Sequence, residues 1–132
     1  MNLISVLLVD DNSTFSRIAS RFIMEQDEEV IVVGTPRGGE EALAQALDLQ
    51  PRAVLVDLGM PGLSGLETIP RLRKAAPETR IIALTMLDTN EYMKAALAAG
   101  ADEFVPKAAL TTDLPAAIRR AAHDGLLKRD DR

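Results

Sequence analysis

Five short apolar runs recur along the chain, at residues 3–9, 30–33, 53–56, 81–84 and 103–105. The first, third and fourth runs are almost continuous Val, Leu, Ile and Ala. Runs of this kind are typical of strands that are buried on both faces, as in parallel sheets. The fifth run is the shortest and carries the weakest strand pattern.

Between and after these runs, the spacing of apolar residues becomes that of a helix with one face turned inward. There are five such stripes: Phe15, Ile18, Ala19, Phe22 and Ile23; Leu43, Ala46 and Leu47; Leu66, Ile69 and Leu72; Tyr92, Ala95, Ala96 and Ala99; Leu114, Ala117, Ile118, Ala121 and Ala122.

Polar residues and glycines mark the ends of these helices. A side-chain oxygen can accept a hydrogen bond from the free N–H groups of a first turn. The predicted N-caps are Asn12 or Ser13, Ser64, and Thr111 or Thr112. Ser64 and Glu67 also have the spacing of a capping box. Gly100 and Gly125 are predicted to end the fourth and fifth helices, because glycine tolerates a left-handed backbone.

Alternating strands and helices predict an α/β fold with helices on both faces of a parallel sheet. Right-handed crossovers restrict the topology. We expect a doubly wound, five-stranded parallel sheet in the order 2-1-3-4-5 with five helices, the flavodoxin-like arrangement. The 132 residues suffice for one domain, expected at residues 1–127. Residues 128–132 are expected to form a charged tail or the start of a linker.

Composition narrows the function classes. The formal net charge of -5 argues against a nucleic-acid surface on this domain. The chain has no cysteine, which excludes disulfides, thiolate metal sites and cysteine nucleophiles. Its single histidine, His123, cannot build a multi-histidine metal site and is expected on the surface of the last helix.

The apolar run at residues 3–9 is too short to span a bilayer and lacks the basic flank of a secretion signal, so a soluble cytoplasmic protein is expected.

Polar side chains follow four of the predicted strands. Asp10 and Asp11 follow the first strand, Asp57 and Thr85 end the third and fourth, and Lys107 follows the fifth. The carboxyl ends of parallel strands meet at one edge of a doubly wound sheet, where binding sites form. Asp and Thr also serve as turn residues, which alone could account for Asp10 and Asp11. The arrival of Asp57, Thr85 and Lys107 from separate strands favours a site.

This set of groups suits phosphoryl transfer. Three clustered carboxylates repel one another unless a cation lies among them, and their hard oxygen ligands suit Mg²⁺. A carboxylate can act as a nucleophile and form an acyl phosphate. A metal ion and Lys107 would balance charge on the phosphoryl oxygens, and the Thr85 hydroxyl can hydrogen-bond one of them after transfer.

The same residues carry a family resemblance. In order, the chain contains VDD at 9–11, VDLGMPG at 56–62 followed by Gly65, LT at 84–85, and GADEFVPK at 100–107. Each piece alone is weak, but together they are specific. From residue 3 to about residue 126, the chain resembles the CheY-like receiver domains of two-component response regulators.

The resemblance implies a phosphoacceptor and a metal site. Asp57 matches the aspartate that receives a phosphoryl group from the phosphohistidine of a sensor histidine kinase. Asp10 and Asp11 match the acid pair that binds Mg²⁺, with Asp57 and the backbone carbonyl of Gly59 as the other protein ligands. Such a domain is a signalling switch that catalyses only its own phosphorylation and dephosphorylation.

The resemblance also implies a switch. Thr85 matches the hydroxyl and Lys107 the ammonium that contact the phosphoryl group, and Phe104 matches the aromatic residue that turns inward on activation. Phe104 also fits an ordinary core or edge aromatic. The implied output is a changed surface on the fourth helix, fifth strand and fifth helix. An output domain or target protein would read it, and phosphorylation-linked homodimerisation is left open.

The motifs PKAA at 106–109 and LTM at 84–86 resemble the receivers of LuxR-type regulators. Those regulators also carry a helix-turn-helix domain that binds DNA, and this chain contains no such segment. It is expected to be either a stand-alone receiver or, by slight preference, one cut from a longer regulator of transcription.

Three features depart from the family pattern. Ala108 rather than proline follows Lys107, so the bond between them is expected to be trans, because a cis non-proline bond costs about 3 kcal/mol. Met86 stands where a small residue is common, and its bulk could alter the lifetime of the acyl phosphate. Gly59 and Leu87 offer no polar side chain to orient a hydrolytic water, which predicts slow to moderate self-dephosphorylation.

Two other functions fit parts of the chain. A phosphohydrolase of the haloacid-dehalogenase type also uses Asp, Mg²⁺, a hydroxyl and Lys. It needs a second acid two residues after the nucleophile, where Asp57 has Gly59 and Asp10 has Asn12. Residues 34–39 could form a phosphate loop between a strand and a helix. They lack the Lys-Ser/Thr ending and the three-glycine spacing, and two glutamates follow, so a turn is favoured.

Overall fold

The structure is a computed structural model that describes residues 3–60, 64–86 and 90–130, with side chains described as far as residue 122. Within these ranges, five strands alternate with five α-helices. The strands are β1 (Ile4–Val9), β2 (Val30–Gly34), β3 (Ala53–Asp57), β4 (Arg80–Thr85) and β5 (Glu103–Pro106). The helices are α1 (Ser13–Gln26), α2 (Gly39–Leu49), α3 (Gly65–Ala75), α4 (Asn90–Ala99) and α5 (Leu110–Asp130).

The strands form one parallel sheet in the order β2-β1-β3-β4-β5, which confirms the predicted topology. The pairing register aligns the carboxyl ends of the strands. Asp57 lies opposite Leu84, and Thr85 lies opposite Pro106. The residues at the ends of β1, β3, β4 and β5 therefore share one edge of the sheet.

The hydrophobic core lies in two layers, one on each face of the sheet. Neighbouring residues of a strand point to opposite faces. Leu8 of β1 packs on the side of α1 and α5, whereas Leu7 packs on the side of α2, α3 and α4. Because both faces are covered, the central strands need apolar residues at every position, and this explains the nearly continuous runs in the sequence.

The predicted helix stripes are mostly correct. Three residues expected to face inward are exposed instead: Ile18, Leu47 and Ala95. Each has a buried alanine beside it in the sequence. Adjacent helical residues lie about 100° apart around the axis, so only one of each pair can face the sheet.

Three of the predicted helix ends are confirmed. Asn12 caps α1, since its Oδ1 accepts a hydrogen bond from the Phe15 backbone N–H at 3.0 Å. Ser64 and Glu67 form the predicted capping box at α3, with bonds of 3.2 Å and 3.3 Å. Gly100, just after α4, has a φ of +121° that favours glycine.

The predicted ends of the fifth helix are wrong. A 3-10 turn, Lys107–Ala109, runs directly into α5 at Leu110, so Thr111 and Thr112 lie inside the helix rather than at its cap. Gly125 also lies inside α5, because one glycine costs only about 1 kcal/mol in a helix interior.

The described backbone has no cis peptide bond, so the bond after Lys107 is trans, as predicted. None of the described helices is long and apolar enough to cross a membrane.

Candidate functional site

The candidate site lies at the carboxyl edge of the sheet. Asp57 is the last residue of β3, and Asp10 follows β1 directly. The Asp10 backbone N–H donates to the carbonyl of Pro36 at 3.1 Å, which attaches this end of β1 to the loop after β2. Lys107 begins the 3-10 turn after β5. The backbone thus fixes the starting points of all three side chains.

Three carboxylates meet at this edge. Asp10, Asp11 and Asp57 each place an oxygen within 4.8 Å of the others. Asp10 is only 1% exposed and Asp57 only 7%, whereas Asp11 is exposed. This geometry matches the acid cluster predicted from the sequence.

Asp10 has two partners. Its Oδ1 accepts a hydrogen bond from the Asn12 backbone N–H at 2.8 Å, and its Oδ2 lies 2.7 Å from Lys107 Nζ. The first contact is a turn interaction, and it fits the ordinary role that Asp plays after a strand. The second joins Asp10 to the opposite side of the site. Asp10 therefore shapes the turn and also binds the ammonium.

Lys107 lies among three groups. Its Nζ is 2.7 Å from Asp10 and 3.6 Å from Asp57 Oδ1, and the side chain is only 10% exposed. The same ammonium lies 4.0 Å from the centroid of the Phe15 ring, a cation–π contact. The sequence assigns Phe15 only to the inner stripe of α1. No local signal marks its contact with a lysine so far along the chain.

The Asp57 carboxyl is perturbed by its surroundings. Burial raises its pKa above the usual value of 3.8, and the neighbouring Asp10 charge raises it further. Lys107 and the Gly59 N–H, which donates to Asp57 Oδ1 at 3.3 Å, lower the pKa, while Asp11 raises it. Burial and the Asp10 charge thus outweigh the contacts that favour the ionised carboxylate, and the pKa rises.

The start of α3 packs closely against the end of β3. A Cβ at Gly65 would lie 2.2 Å from the Asp57 carbonyl oxygen and 2.6 Å from the Leu58 Cα. No side chain fits there. Gly65 belongs to the motif quoted above, but its packing role is visible only in three dimensions.

The comparisons with known proteins agree with this geometry. Residues 6–119 match the response regulator receiver domain. The chain belongs to the family of response regulator receiver domains.

Relatives and solved structures support the assignment. The response regulator GacA of Pseudomonas protegens is 34% identical over 117 residues, which are 89% of this chain and 54% of GacA. A LuxR-family two-component response regulator from an Aurantimonas species has a TM-score of 0.86 at 27% identity, covering 92% of this chain and 87% of that one.

A third similar structure contains bound groups. It is that of a Burkholderia pseudomallei response regulator with a phosphorylated aspartic acid, calcium ion and citrate. Its TM-score is 0.76 at 25% identity, over 97% of this chain and 74% of that one. This receiver domain spans about half the length of the curated relatives it matches.

The cluster fits the divalent cation of receiver domains. These domains bind Mg²⁺ at an acidic pocket, and the three carboxylates here form such a pocket. Their oxygens are the hard ligands that Mg²⁺ prefers. A cation among the three carboxylates would also offset their mutual repulsion.

The other residues singled out from the sequence differ in position and exposure. Thr85 ends β4 and is 3% exposed. Gly59 is exposed beside Asp57. Phe104 is half-buried on the α4 side of the sheet, outside the contacts among the carboxylates and Lys107. Met86 is 78% exposed. Leu87 and the His123 side chain lie outside the described residues.

The glycine-containing loop at residues 34–39 is a turn in this receiver domain. Glu41, in the first turn of α2, accepts a hydrogen bond from the Arg37 backbone N–H at 3.4 Å and another from Gln45 at 3.2 Å. An acidic group therefore occupies the place where a phosphate would need the free N–H groups. The Pro36 carbonyl of the same loop holds Asp10, so the loop has a structural role.

Proposed function

We propose that this receiver domain is a Mg²⁺-dependent switch in which Asp57 accepts a phosphoryl group from a sensor histidine kinase. One observation carries the proposal. Asp57 is buried at the sheet edge beside two other carboxylates, with an ammonium within 3.6 Å of one of its oxygens. Such a constellation suits a nucleophilic carboxylate better than a purely structural one.

Asp57 is held so that one oxygen can react. Oδ1 accepts from the Gly59 N–H and faces Lys107. Its second oxygen makes no hydrogen bond to any residue that the structure describes, which leaves it available. A carboxylate oxygen attacks the phosphorus of a phosphohistidine, the P–O bond forms, the P–N bond breaks, and the kinase imidazole leaves with the electron pair.

Asp10, Asp11 and Asp57, with the backbone carbonyl of Gly59, would hold the Mg²⁺ ion. When bound, the ion supplies positive charge to the phosphoryl oxygens during transfer. The Burkholderia pseudomallei relative, which holds a phosphorylated aspartic acid and a calcium ion, supports a divalent cation beside a phosphorylated carboxyl in this fold.

Lys107 and Thr85 would respond to the new phosphoryl group. Lys107 Nζ is paired with Asp10 at 2.7 Å and needs only a small shift to contact a phosphoryl oxygen on Asp57. Thr85 ends β4, the strand next to β3, and we assign its hydroxyl as the donor to another phosphoryl oxygen. Both contacts would stabilise the active conformation of the phosphorylated domain and so shift the population towards that conformation.

The response would reach α4, β5 and α5. Lys107 connects β5 directly to the turn that starts α5, and residues 86–89 connect Thr85 to α4. Phe104 lies on β5, half-buried, where a change of rotamer would alter this surface. An output domain or target protein would read the change, and the same surface could mediate a phosphorylation-linked homodimer.

The output would lie outside this domain. The curated relatives are about twice as long as the matched region, and one solved relative is a LuxR-family regulator. We therefore propose that the domain controls an output domain that regulates transcription, without contacting nucleic acid itself. No observation favours the phosphohydrolase alternative, because Gly59 supplies no general acid.

Intact-mass measurement after incubation with Mg²⁺ and acetyl phosphate tests the proposal. We expect one added phosphoryl group on the wild type and none on Asp57→Ala. Asp48→Ala is the matched control, since Asp48 is an exposed aspartate on α2 outside the cluster. An undiminished adduct on Asp57→Ala would overturn the proposal, and steady turnover of a phosphoester would favour the hydrolase.

A further inference from the structure

A second concave site lies away from the acid cluster, between α1 and the segment that follows β2. Its volume is about 590 Å³, within the range of about 300–1,000 Å³ that is typical of small-molecule sites. Arg17, Arg21 and Met24 line it from α1, and Arg37 lines it from the other side. The proposed phosphorylation of Asp57 uses none of these side chains.

The three arginines of this groove are unusual within the molecule. The guanidinium groups of Arg17, Arg21 and Arg37 form no hydrogen bond or ion pair with any residue in the described part of the chain. Five other arginines in the described part of the chain form hydrogen bonds or ion pairs: Arg52, Arg73, Arg80, Arg119 and Arg120. Arg71, on α3, forms neither with a described residue. Three unpaired guanidinium groups around one groove, in a chain of net charge -5, form a local anion-attracting surface.

Two buried hydroxyls point to the same place. Ser16 and Ser20 line the groove from α1 and are 5% and 9% exposed. Neither Oγ has a hydrogen-bond partner among the described residues. Buried hydroxyls normally find a partner, because leaving one unsatisfied is costly. The walls of the groove therefore contain two hydroxyl groups without a partner in the described part of the chain.

We propose that this groove binds an organic phosphate monoester with a flat apolar group. Guanidinium groups match phosphate oxygens in charge and geometry, and the serine hydroxyls supply further donors. Met24 and the arginine stems offer apolar contact to the flat group. Thioethers make favourable contacts with aromatic rings, and guanidinium groups stack on their faces. Glu25 also lines the groove, so its carboxylate disfavours a ligand with anionic groups at both ends.

Titration with phenyl phosphate, followed by ¹H–¹⁵N NMR, tests the assignment. The sample is the whole domain in EDTA, which suppresses metal-dependent binding at the acid cluster. We expect saturable shifts at Arg17, Ser20, Met24 and Arg37. Inorganic phosphate and phenol, each carrying one half of the ligand, are expected to bind at least about tenfold more weakly.

Matched variants separate the groove from general charge effects. We expect Arg17→Gln/Arg21→Gln to raise the Kd of phenyl phosphate about tenfold, as for loss of charge-assisted hydrogen bonds. Arg71→Gln removes an exposed arginine on α3 and is expected to leave the Kd unchanged. Ser20→Ala is expected to weaken binding without lowering the unfolding midpoint, because the lost hydroxyl has no partner in the described structure.

Four results would overturn the proposal. They are an unchanged Kd in the double arginine variant, equal weakening by Arg71→Gln, equal binding of inorganic phosphate or phenol, and shifts confined to the acid cluster. A normal unfolding midpoint for each variant shows that a loss of binding is not a loss of fold.

Discussion

At the scale of single residues, the site depends on close contacts that join distant parts of the chain. Lys107 bridges Asp10 and Asp57 and lies over the Phe15 ring. The hydrophobic pattern of the sequence predicts where each parallel strand ends. It therefore predicts that Asp10, Asp57 and Lys107 lie at one edge of the sheet. It does not reveal Phe15, since a helix stripe shows only that a residue faces inward and not which side chain it meets.

Gly65 provides the first prediction. Gly65→Ala would place a Cβ against the backbone of Asp57 and Leu58. Because backbone cannot move aside cheaply, we expect a loss of about 1–3 kcal/mol in the free energy of unfolding. Urea denaturation measures it. Gly59→Ala is the control, since a Cβ there meets no atom closer than 4.0 Å. Equal losses in both variants would contradict the packing role of Gly65.

The raised pKa of Asp57 provides the second prediction. Because the folded-state pKa is raised, ionised Asp57 destabilises the fold, and protonation on lowering the pH removes that destabilisation. In EDTA, Asp57→Asn is therefore expected to be more stable than the wild type at pH 7. The difference in the free energy of unfolding should shrink as the pH falls through the raised pKa. Denaturant melts across this range measure it, and a difference that grows towards low pH would show the opposite shift.

At the scale of secondary-structure elements, most of the fold is readable from the sequence. The order of strands, the Asn12 cap and the Ser64–Glu67 capping box all follow from local patterns. The start of α5 does not, because the 3-10 turn that begins at Lys107 supplies the first bonds, so no cap at Thr111 is needed. Whether Ile18 or its neighbour faces the sheet is decided by tertiary packing.

The third prediction compares the correct cap with the incorrect one. Ser64→Ala removes the side chain that accepts from the Glu67 N–H and is expected to cost about 1 kcal/mol in the free energy of unfolding. Thr111→Ala changes an exposed residue inside α5 and is expected to cost less than about 0.5 kcal/mol. Chemical denaturation of both variants measures the difference. A larger cost at Thr111 would mean that α5 does begin at the predicted cap.

At the scale of the whole molecule, the acid cluster joins the ends of β1 and β3, so a bound cation should stabilise the entire domain. A ligand that binds only the folded state adds about 1.4 kcal/mol at ten times its Kd. The described core surrounds these strands on both faces. Unfolding of the domain would therefore disperse the three carboxylates.

The fourth prediction follows. We expect Mg²⁺ to raise the unfolding midpoint of the wild type and to have a much smaller effect on Asp11→Asn. Asp11 is exposed, so its replacement should leave the fold intact. Asp48→Asn, which lies on α2, is expected to respond to Mg²⁺ as the wild type does. Thermal melts over a Mg²⁺ series make the comparison. An equal response in Asp11→Asn would exclude that carboxylate as a ligand.

The most direct test of the central claim locates the phosphoryl group. Borohydride reduces an aspartyl phosphate to homoserine, and peptide mass mapping then identifies the converted residue. After phosphorylation with Mg²⁺ and acetyl phosphate, we expect homoserine at position 57 alone. Conversion at Asp10 or Asp11, or a stable phosphoryl group elsewhere with position 57 unchanged, would contradict it.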